Sequence, residues 1–183
     1  MKSHKALVEM ALCAVFAAIL CICSPISVPV GPVPVSLQVF AVLLCAVTLN
    51  LRPALISVAV YLGLGLFLPL FSGGNTGLAA LPGPTGGYIW SFVLMVPLVR
   101  LLASLGKDRG WTAYAAAFGG CVVAVALCYL CGTVQFSLVT NNSFAHSLRL
   151  CVIPFILPDL AKSLAATVLG VALRGILKKQ QLL

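Results

Sequence analysis

The sequence predicts an all-α integral membrane protein, organised as a single membrane domain over residues 1–183. Composition is the first reason, because 62% of the residues are hydrophobic and only 8% are charged. Soluble domains carry about 25% charged residues. Length is the second reason, because a chain of 183 residues has too little interior to hide this much apolar surface from water. Lipid is therefore the expected solvent for most of the chain.

The positions of the charged residues indicate how often the chain crosses the bilayer. Three long stretches contain no charged residue: those between Glu9 and Arg52, between Arg52 and Arg100, and between Arg109 and Arg149. A transmembrane helix needs about 20 residues, so the first two stretches each hold two crossings, and the third stretch and the tail hold one each. The six predicted spans cover residues 6–23, 36–50, 54–71, 88–105, 113–139 and 148–176, and residues 140–147 are predicted to form a polar turn before the last span.

Two connectors between the spans have compositions that disfavour helices. Residues 24–35 contain prolines at positions 25, 29, 32 and 34, a spacing that forbids a helix and favours extended backbone. Residues 72–87 are rich in glycine, and both connectors lack charge. In a six-span arrangement both connectors face the same side, where we expect them to fold as lids over a ligand site. The alternative is that they are short connectors resting on the lipid headgroups.

The basic residues predict the orientation of the spans. Nine of them fall on one side of a six-span arrangement, namely Lys2, Lys5, Arg52, Arg100, Lys107, Arg109, Arg174, Lys178 and Lys179. The opposite side has only Arg149. The positive-inside rule therefore places both termini in the cytoplasm and the two uncharged connectors outside.

Several functional classes are disfavoured by the residues present. The net charge of +8 does not indicate nucleic-acid binding, because the basic residues lie at span ends rather than in a stripe with aromatic residues. The eight cysteines lie in apolar runs without polar neighbours, so we expect packing residues rather than a metal or redox site. This includes Cys128 and Cys131, which form a C-x-x-C one helical turn apart. No catalytic motif or phosphate loop is present, so we expect neither an enzyme nor a cofactor.

Asp159 and Lys162 are the most informative pair of residues. They lie inside an otherwise apolar span, where each charge costs about 2.5–3.5 kcal/mol on insertion scales. At a spacing of i and i+3 they share one helix face and can neutralise each other. Pro154 and Pro158 are expected to interrupt this span, and broken helices commonly form transporter sites. We interpret the pair as part of a polar ligand site; a structural ion pair that only fixes helix packing is the alternative.

Other candidates carry weaker signals. Gln38 and Asn75 are uncharged hydrogen-bonding groups on the outer side, and the alternatives are a helix cap and a turn residue. Tyr88 and Trp90 are either interface anchors or the walls of a ring-stacking site. Ala14 and Ala18 belong to a face of small residues on the first span, which permits close approach of another helix in lipid.

Longer motifs resemble the BioY family, the biotin-specific substrate-binding (S) components of energy-coupling factor (ECF) transporters. In order, these motifs are V-P-V-S-L-Q at residues 33–38, F-S-G-G at 71–74, G-P-T-G-G-Y at 83–88, P-F at 154–155, and P-D-L-A-K at 158–162. The resemblance implies six helices, with the vitamin bound near the outer surface beneath the two connectors. It also implies a membrane T component and two ATP-binding-cassette ATPases as partners, and a prokaryotic cytoplasmic membrane as the location.

The resemblance also implies roles for individual residues. Asp159, Lys162 and Asn75 match the polar biotin ligands of the family, and Ala14 and Ala18 match the alanine motif that docks the T component. Our hypothesis assigns Lys162 to the biotin carboxylate or the ureido oxygen, and Asp159 to the ureido N–H groups. Gln38 and Tyr88 complete the expected site, together with Gly86 and Gly87, which let backbone approach the ligand closely. An S component for another vitamin and a purely structural membrane subunit are the alternatives.

Overall fold

The structure is a computed structural model that describes residues 2–30, 32–106 and 110–182, with side chains described from residue 5 onward. Its helices are α1 (Lys2–Cys23), α2 (Gln38–Thr48), α3 (Leu51–Phe67), α4 (Gly77–Ala80), α5 (Gly86–Ala103), α6 (Trp111–Thr140), α7 (Phe144–Cys151) and α8 (Ile156–Lys179). A 3₁₀ turn, Ile153–Phe155, links α7 to α8. Two short strands, β1 (Ser27–Val28) and β2 (Val35–Ser36), pair between α1 and α2.

Four helical segments of the described chain are long and apolar enough to cross a membrane. They are Lys5–Cys23, Gly86–Ala103, Trp111–Thr140 and Phe144–Lys179. The two other predicted spans correspond to the shorter apolar helices α2 and α3. At 1.5 Å per residue, α2 is only about 16 Å long. Most of its side chains are buried, because α5 and α8 pack against it and separate it from the lipid.

Small residues allow the helices to pack closely. The long α5 runs along α6, α2 packs against α8, and α1 packs against α3. Where α5 meets α6, the ring of Tyr88 lies against Gly132; where α2 meets α8, Val47 lies against Gly170. In lipid such close contacts stabilise helix association, since burial of apolar surface between helices brings little gain there. The result is a continuous core that includes the fully buried Tyr61 and Phe92.

The two connectors at residues 24–35 and 72–87 are more ordered than their composition indicates. The proline connector is extended, as predicted, and its strands pair antiparallel with Ser27 opposite Ser36. The glycine connector contains α4, which the sequence did not predict, and turns at Gly73 and Gly74 with φ angles of 77° and 72°. Glycine reaches this left-handed region without the steric cost that a Cβ atom imposes.

Two expectations about the chain before α8 are wrong. Residues 144–147 form the start of α7 rather than a turn, because Ser143 Oγ accepts a hydrogen bond from the His146 amide (3.3 Å) and caps the helix. The break in the last span lies around Pro154 but not at Pro158, which is part of the first turn of α8. The first turn tolerates proline because its N–H groups have no partner within the helix.

Several basic residues predicted to be cytoplasmic lie together at the end of the bundle opposite the glycine connector. Arg100, Arg174 and Lys178 line one cleft there. Arg174 donates to the Thr48 carbonyl (3.0 Å) and Arg100 to the Val47 carbonyl (3.3 Å), so both guanidinium groups satisfy carbonyls at the end of α2. The Lys2 side chain, Lys107 and Arg109 belong to the predicted set but lie outside the described part of the chain.

Candidate ligand-binding site

A cavity opens between α2, α5, α6 and α8, beneath the proline and glycine connectors. The space between these walls is about 640 Å³, with the open mouth included. Its walls are mainly apolar and aromatic. They include Val33, Pro34, Val39, Phe71, Ile89, Phe92, Val125, Cys128 and Phe155. Eight further side chains add polar groups, namely Ser36, Gln38, Ser72, Thr85, Tyr88, Tyr129, Asp159 and Lys162.

An ion pair forms the most polar part of this cavity. Lys162 Nζ lies 2.7 Å from Asp159 Oδ1, and Tyr129 Oη donates to Asp159 Oδ2 at 2.8 Å. Asp159 is buried, with 3% of its surface exposed. Each carboxylate oxygen therefore has one protein donor, and the negative charge is compensated away from water. Each oxygen retains a further lone pair that a ligand N–H group can use.

The break before α8 explains why a carboxylate is tolerated here. The 3₁₀ turn at Ile153–Phe155 ends one helical segment, and α8 begins at Ile156. Asp159 lies in the first turn of α8, where unpaired N–H groups and the helix dipole favour negative charge. The interrupted span thus brings a helix amino terminus, a carboxylate and an ammonium group to one wall of the cavity.

A second polar cluster lies at the side of the cavity formed by α2. Gln38 lines the cavity, and its Nε2 donates to Tyr61 Oη on α3. Tyr61 Oη is also 2.6 Å from Ser24 Oγ at the end of α1. All three residues are buried. The start of α2 is therefore joined to two other helices by side-chain hydrogen bonds.

Tyr88 connects the cavity to α7. Its hydroxyl donates to the Cys151 carbonyl at 3.2 Å, and its ring lines the cavity. Trp90, two residues further along α5, is 56% exposed and lies outside the cavity. Tyr88 therefore lies at the wall of the cavity, and its predicted part in a ligand site stays a prediction.

The comparisons with known proteins identify the family. A sequence profile of the BioY family matches residues 1–179. The chain belongs to the BioY family. A protein named "Probable biotin transporter BioY" from Pyrococcus horikoshii is 36% identical over 168 residues, which cover 91% of this chain and 96% of that protein. "Biotin transporter BioY2" from Lactococcus lactis is 34% identical over 168 residues, covering 91% of this chain and 90% of that protein.

A solved structure shows the same fold. It is the crystal structure, at 2.1 Å, of the S-component for biotin from an ECF-type ABC transporter. The match has a TM-score of 0.86 and 25% sequence identity, and it covers 96% of this chain and 95% of the other. This BioY family member is therefore a helical membrane protein with the S-component fold.

Not every predicted site residue of this BioY family member lines the cavity. Asp159, Lys162, Gln38 and Tyr88 come together there. Asn75 is exposed in an adjoining open cleft, and its Nδ2 donates to the Ser72 carbonyl at 3.1 Å. That cleft shares Pro34, Ser72 and Thr85 with the cavity, so Asn75 stands at the mouth of the site rather than within it.

Gly86 and Gly87 face α6 instead of the cavity. A Cβ atom on Gly86 would collide with the Leu81 carbonyl, and one on Gly87 would lie 2.9 Å from Cys131 C and from Gln135 Cβ. Gln135 also donates to the Leu81 and Gly83 carbonyls at 2.7 and 2.9 Å, which ties the glycine connector to α6. Both glycines therefore have a packing function here, and their predicted contact with ligand stays a prediction.

The predicted docking residues lie on the outside of the bundle. Ala14 and Ala18 are exposed on α1, beside the exposed side chains of Leu7 and Val15.

All eight cysteines carry free thiols. Among the residues that the structure describes, no group of three or more possible metal ligands occurs.

Sequence reasoning missed two tyrosines that complete the polar part of the site. Tyr129 and Tyr61 lie in the middle of apolar runs, away from the span ends where membrane tyrosines usually lie. That position was the available signal, because a hydroxyl in mid-span needs a hydrogen-bond partner. The partner itself depends on which helices pack together. Ser72 was also missed; its hydroxyl is buried at the cavity without a partner among the described residues.

Proposed function

We propose that this BioY family member captures biotin at the outer face of a prokaryotic cytoplasmic membrane, as the S component of an ECF transporter. The observation that carries the proposal is the buried ion pair of Asp159 and Lys162, held by Tyr129 in an otherwise apolar cavity. The names of the relatives and the S-component for biotin of the same fold support biotin as the ligand.

The chemistry of biotin fits such a cavity. Biotin has a ureido ring with two N–H donors and one carbonyl, an apolar sulfur ring and chain, and a carboxylate. Asp159 accepts from the ureido N–H groups through its remaining lone pairs, and Lys162 has two further N–H donors for the carboxylate or the ureido oxygen. Aromatic and aliphatic walls such as Phe92, Val125 and Phe155 enclose the apolar parts.

The two connectors act as lids in this proposal. Val33, Pro34 and Ser36 of the first connector and Phe71, Ser72 and Thr85 of the second line the cavity. Closure of the second connector brings Asn75 from the adjoining cleft into the polar shell. Gly73 and Gly74, with positive φ angles, give that connector backbone freedom.

The membrane arrangement follows from the charge distribution. We assign six crossings, with α2 and α3 as short spans enclosed by the longer helices. Arg100, Arg174 and Lys178 lie at the end of the bundle opposite the cavity, which supports a cytoplasmic position for that end and for both termini. The cavity then opens to the outside, where a scavenged vitamin arrives.

The partners are a transmembrane T component and two ABC-type ATPases, which supply the energy. We assign docking of the T component to Ala14 and Ala18, whose small exposed side chains let a partner helix approach α1 closely. This chain itself is a binding subunit rather than an enzyme, and it needs no cofactor.

A calorimetric titration of the detergent-purified chain with biotin, and with thiamine and riboflavin as controls, tests the proposal. We expect tight binding of biotin alone. Binding of a control vitamin instead would indicate an S component for that vitamin. Binding of none of them, by protein shown to be folded, would favour a purely structural subunit and contradict the proposal.

A further inference from the structure

Ser24, Gln38 and Tyr61 form a buried hydrogen-bonded cluster at the cavity wall. Three helices contribute to it, since Ser24 follows α1, Gln38 begins α2 and Tyr61 lies within α3. The three residues are 0%, 5% and 0% exposed. Only Gln38 among them reaches the cavity, so Tyr61 and Ser24 stand behind a residue of the site.

The hydrogen bonds of the cluster fix the orientation of the Gln38 amide. Tyr61 Oη lies 2.6 Å from Ser24 Oγ, and in this contact either hydroxyl can be the donor. Tyr61 Oη also accepts from Gln38 Nε2. The nitrogen end of the Gln38 amide is thereby directed away from the ligand. Its oxygen, Oε1, receives no hydrogen bond from the residues that the structure describes.

We propose that Tyr61 is a positioning residue for the ligand, because its hydroxyl holds Gln38 so that the amide oxygen faces the cavity as an acceptor. This inference rests on the proposed function and deepens it. Biotin carries two ureido N–H donors, and Gln38 on α2 then adds a second acceptor for them beside Asp159 on α8. Without the Tyr61 hydroxyl, the amide rotates freely and presents either its nitrogen or its oxygen to the cavity. It is then a weaker acceptor for a ligand N–H group.

The packing of Tyr61 permits a conservative test. Its ring contacts the ring of Phe71 edge-on, with centroids 5.5 Å apart and an interplanar angle of 78°. Tyr61→Phe keeps this contact and removes only the hydroxyl. We expect biotin affinity to fall about tenfold, as for the loss of one well-oriented hydrogen bond. Tyr114→Phe is the matched control and should leave the affinity unchanged, because Tyr114 is a half-buried tyrosine near the start of α6, away from the cavity.

A double-mutant cycle separates positioning from a merely structural role. Gln38→Leu should weaken biotin binding by at least as much as Tyr61→Phe, and the double variant should bind no more weakly than Gln38→Leu alone. Independent, additive losses would overturn the inference, because Tyr61 would then act without Gln38. Unchanged affinity of Tyr61→Phe, with wild-type binding intact, would also overturn it while the proposed function stands.

Ligand derivatives give a second readout that folding does not affect. Biotin methylated at one or the other ureido nitrogen lacks one N–H donor. The quantity measured is the ratio of the affinity for biotin to the affinity for the methylated isomer. For one of the two isomers, this ratio should be smaller in Tyr61→Phe than in the wild type, and equal to the ratio in Gln38→Leu. Identical preferences in wild type and Tyr61→Phe for both isomers would refute the inference. Failure of the wild type to bind biotin would instead refute the proposed function on which it rests.

Discussion

Lys162 Nζ lies 2.7 Å from Asp159 Oδ1, one helical turn away on α8, and the two side chains are only 12% and 4% exposed. From α6, Tyr129 covers the other carboxylate oxygen at 2.8 Å. Enclosed charges are tolerated because they are paired, and removal of one leaves the other buried without compensation. Stability and the proposed ligand binding therefore depend on the same pair.

Asp159→Asn should weaken biotin binding about tenfold or more. The amide keeps the shape of the carboxylate but loses its charge and half of its acceptor capacity, so the ureido N–H groups lose their strongest acceptor. Calorimetric titration in detergent measures the effect. Glu9→Gln is the control, since Glu9 lies with Lys5 in a cleft at the other end of the bundle. Near-normal affinity of Asp159→Asn would remove Asp159 from the site.

Removing both charges should restore stability without restoring binding. We expect Lys162→Met alone to destabilise the protein by about 3 kcal/mol, because the carboxylate stays buried without its cation. Combination with Asp159→Asn should recover most of this loss, since no uncompensated charge remains. Thermal unfolding of the ligand-free variants in one detergent provides the comparison. A double variant less stable than either single variant would show that the pair is not held by charge compensation.

Tyr129→Phe should weaken biotin binding about three- to tenfold while the fold is retained. The ring stays in place, but Asp159 Oδ2 loses the donor that orients it, so the carboxylate no longer has one fixed position. Affinity is measured by titration, with the distant Tyr114→Phe as control. Tighter binding by Tyr129→Phe would contradict the prediction, because it would mean that the phenol competes with the ligand for Oδ2.

The sequence predicted those parts of the fold that depend on local composition. The apolar run at residues 113–139 corresponds closely to α6 at Trp111–Thr140, because uninterrupted apolar sequence bounded by polar residues leaves lipid as the only favourable solvent. Asp159 and Lys162 were recognisable for the same reason, since charge in an apolar span is costly and their spacing places them on one face.

Features that depend on helix packing were not predictable in this way. Tyr129 meets Asp159 only because α6 packs against α8, and no local pattern in residues 113–139 identifies that neighbour. The contact of Tyr61 with Gln38 and Ser24 likewise requires three helices to converge. The sequence predicts a polar turn at residues 140–147, whereas the Ser143 cap allows a helix to begin at Phe144.

Gly87→Ala should destabilise the protein by about 1–3 kcal/mol, because the added methyl group forces α5 away from α6. Its Cβ atom would lie 2.9 Å from Cys131 C and from Gln135 Cβ, which are backbone and helix-anchored atoms with little freedom to move. Gly119→Ala on α6 is the matched control, since a Cβ atom there meets nothing within 4 Å. The control should be neutral or slightly stabilising, as alanine favours helix. Equal melting temperatures of the two variants would contradict this close packing.

Ala14→Leu and Ala18→Leu should abolish coupled transport and leave biotin binding intact. Both alanines are exposed on α1, away from the cavity, so larger side chains disturb no contact within the chain but block close approach of a partner helix. The measurement compares biotin affinity of the isolated chain with biotin uptake by cells that also contain the T component and ATPases. Ala126→Leu, at an exposed alanine in the middle of α6, is the control and should preserve both activities. Normal uptake by the α1 variants would move the docking surface to another helix, whereas loss of binding by the isolated variants would show that α1 supports the cavity itself.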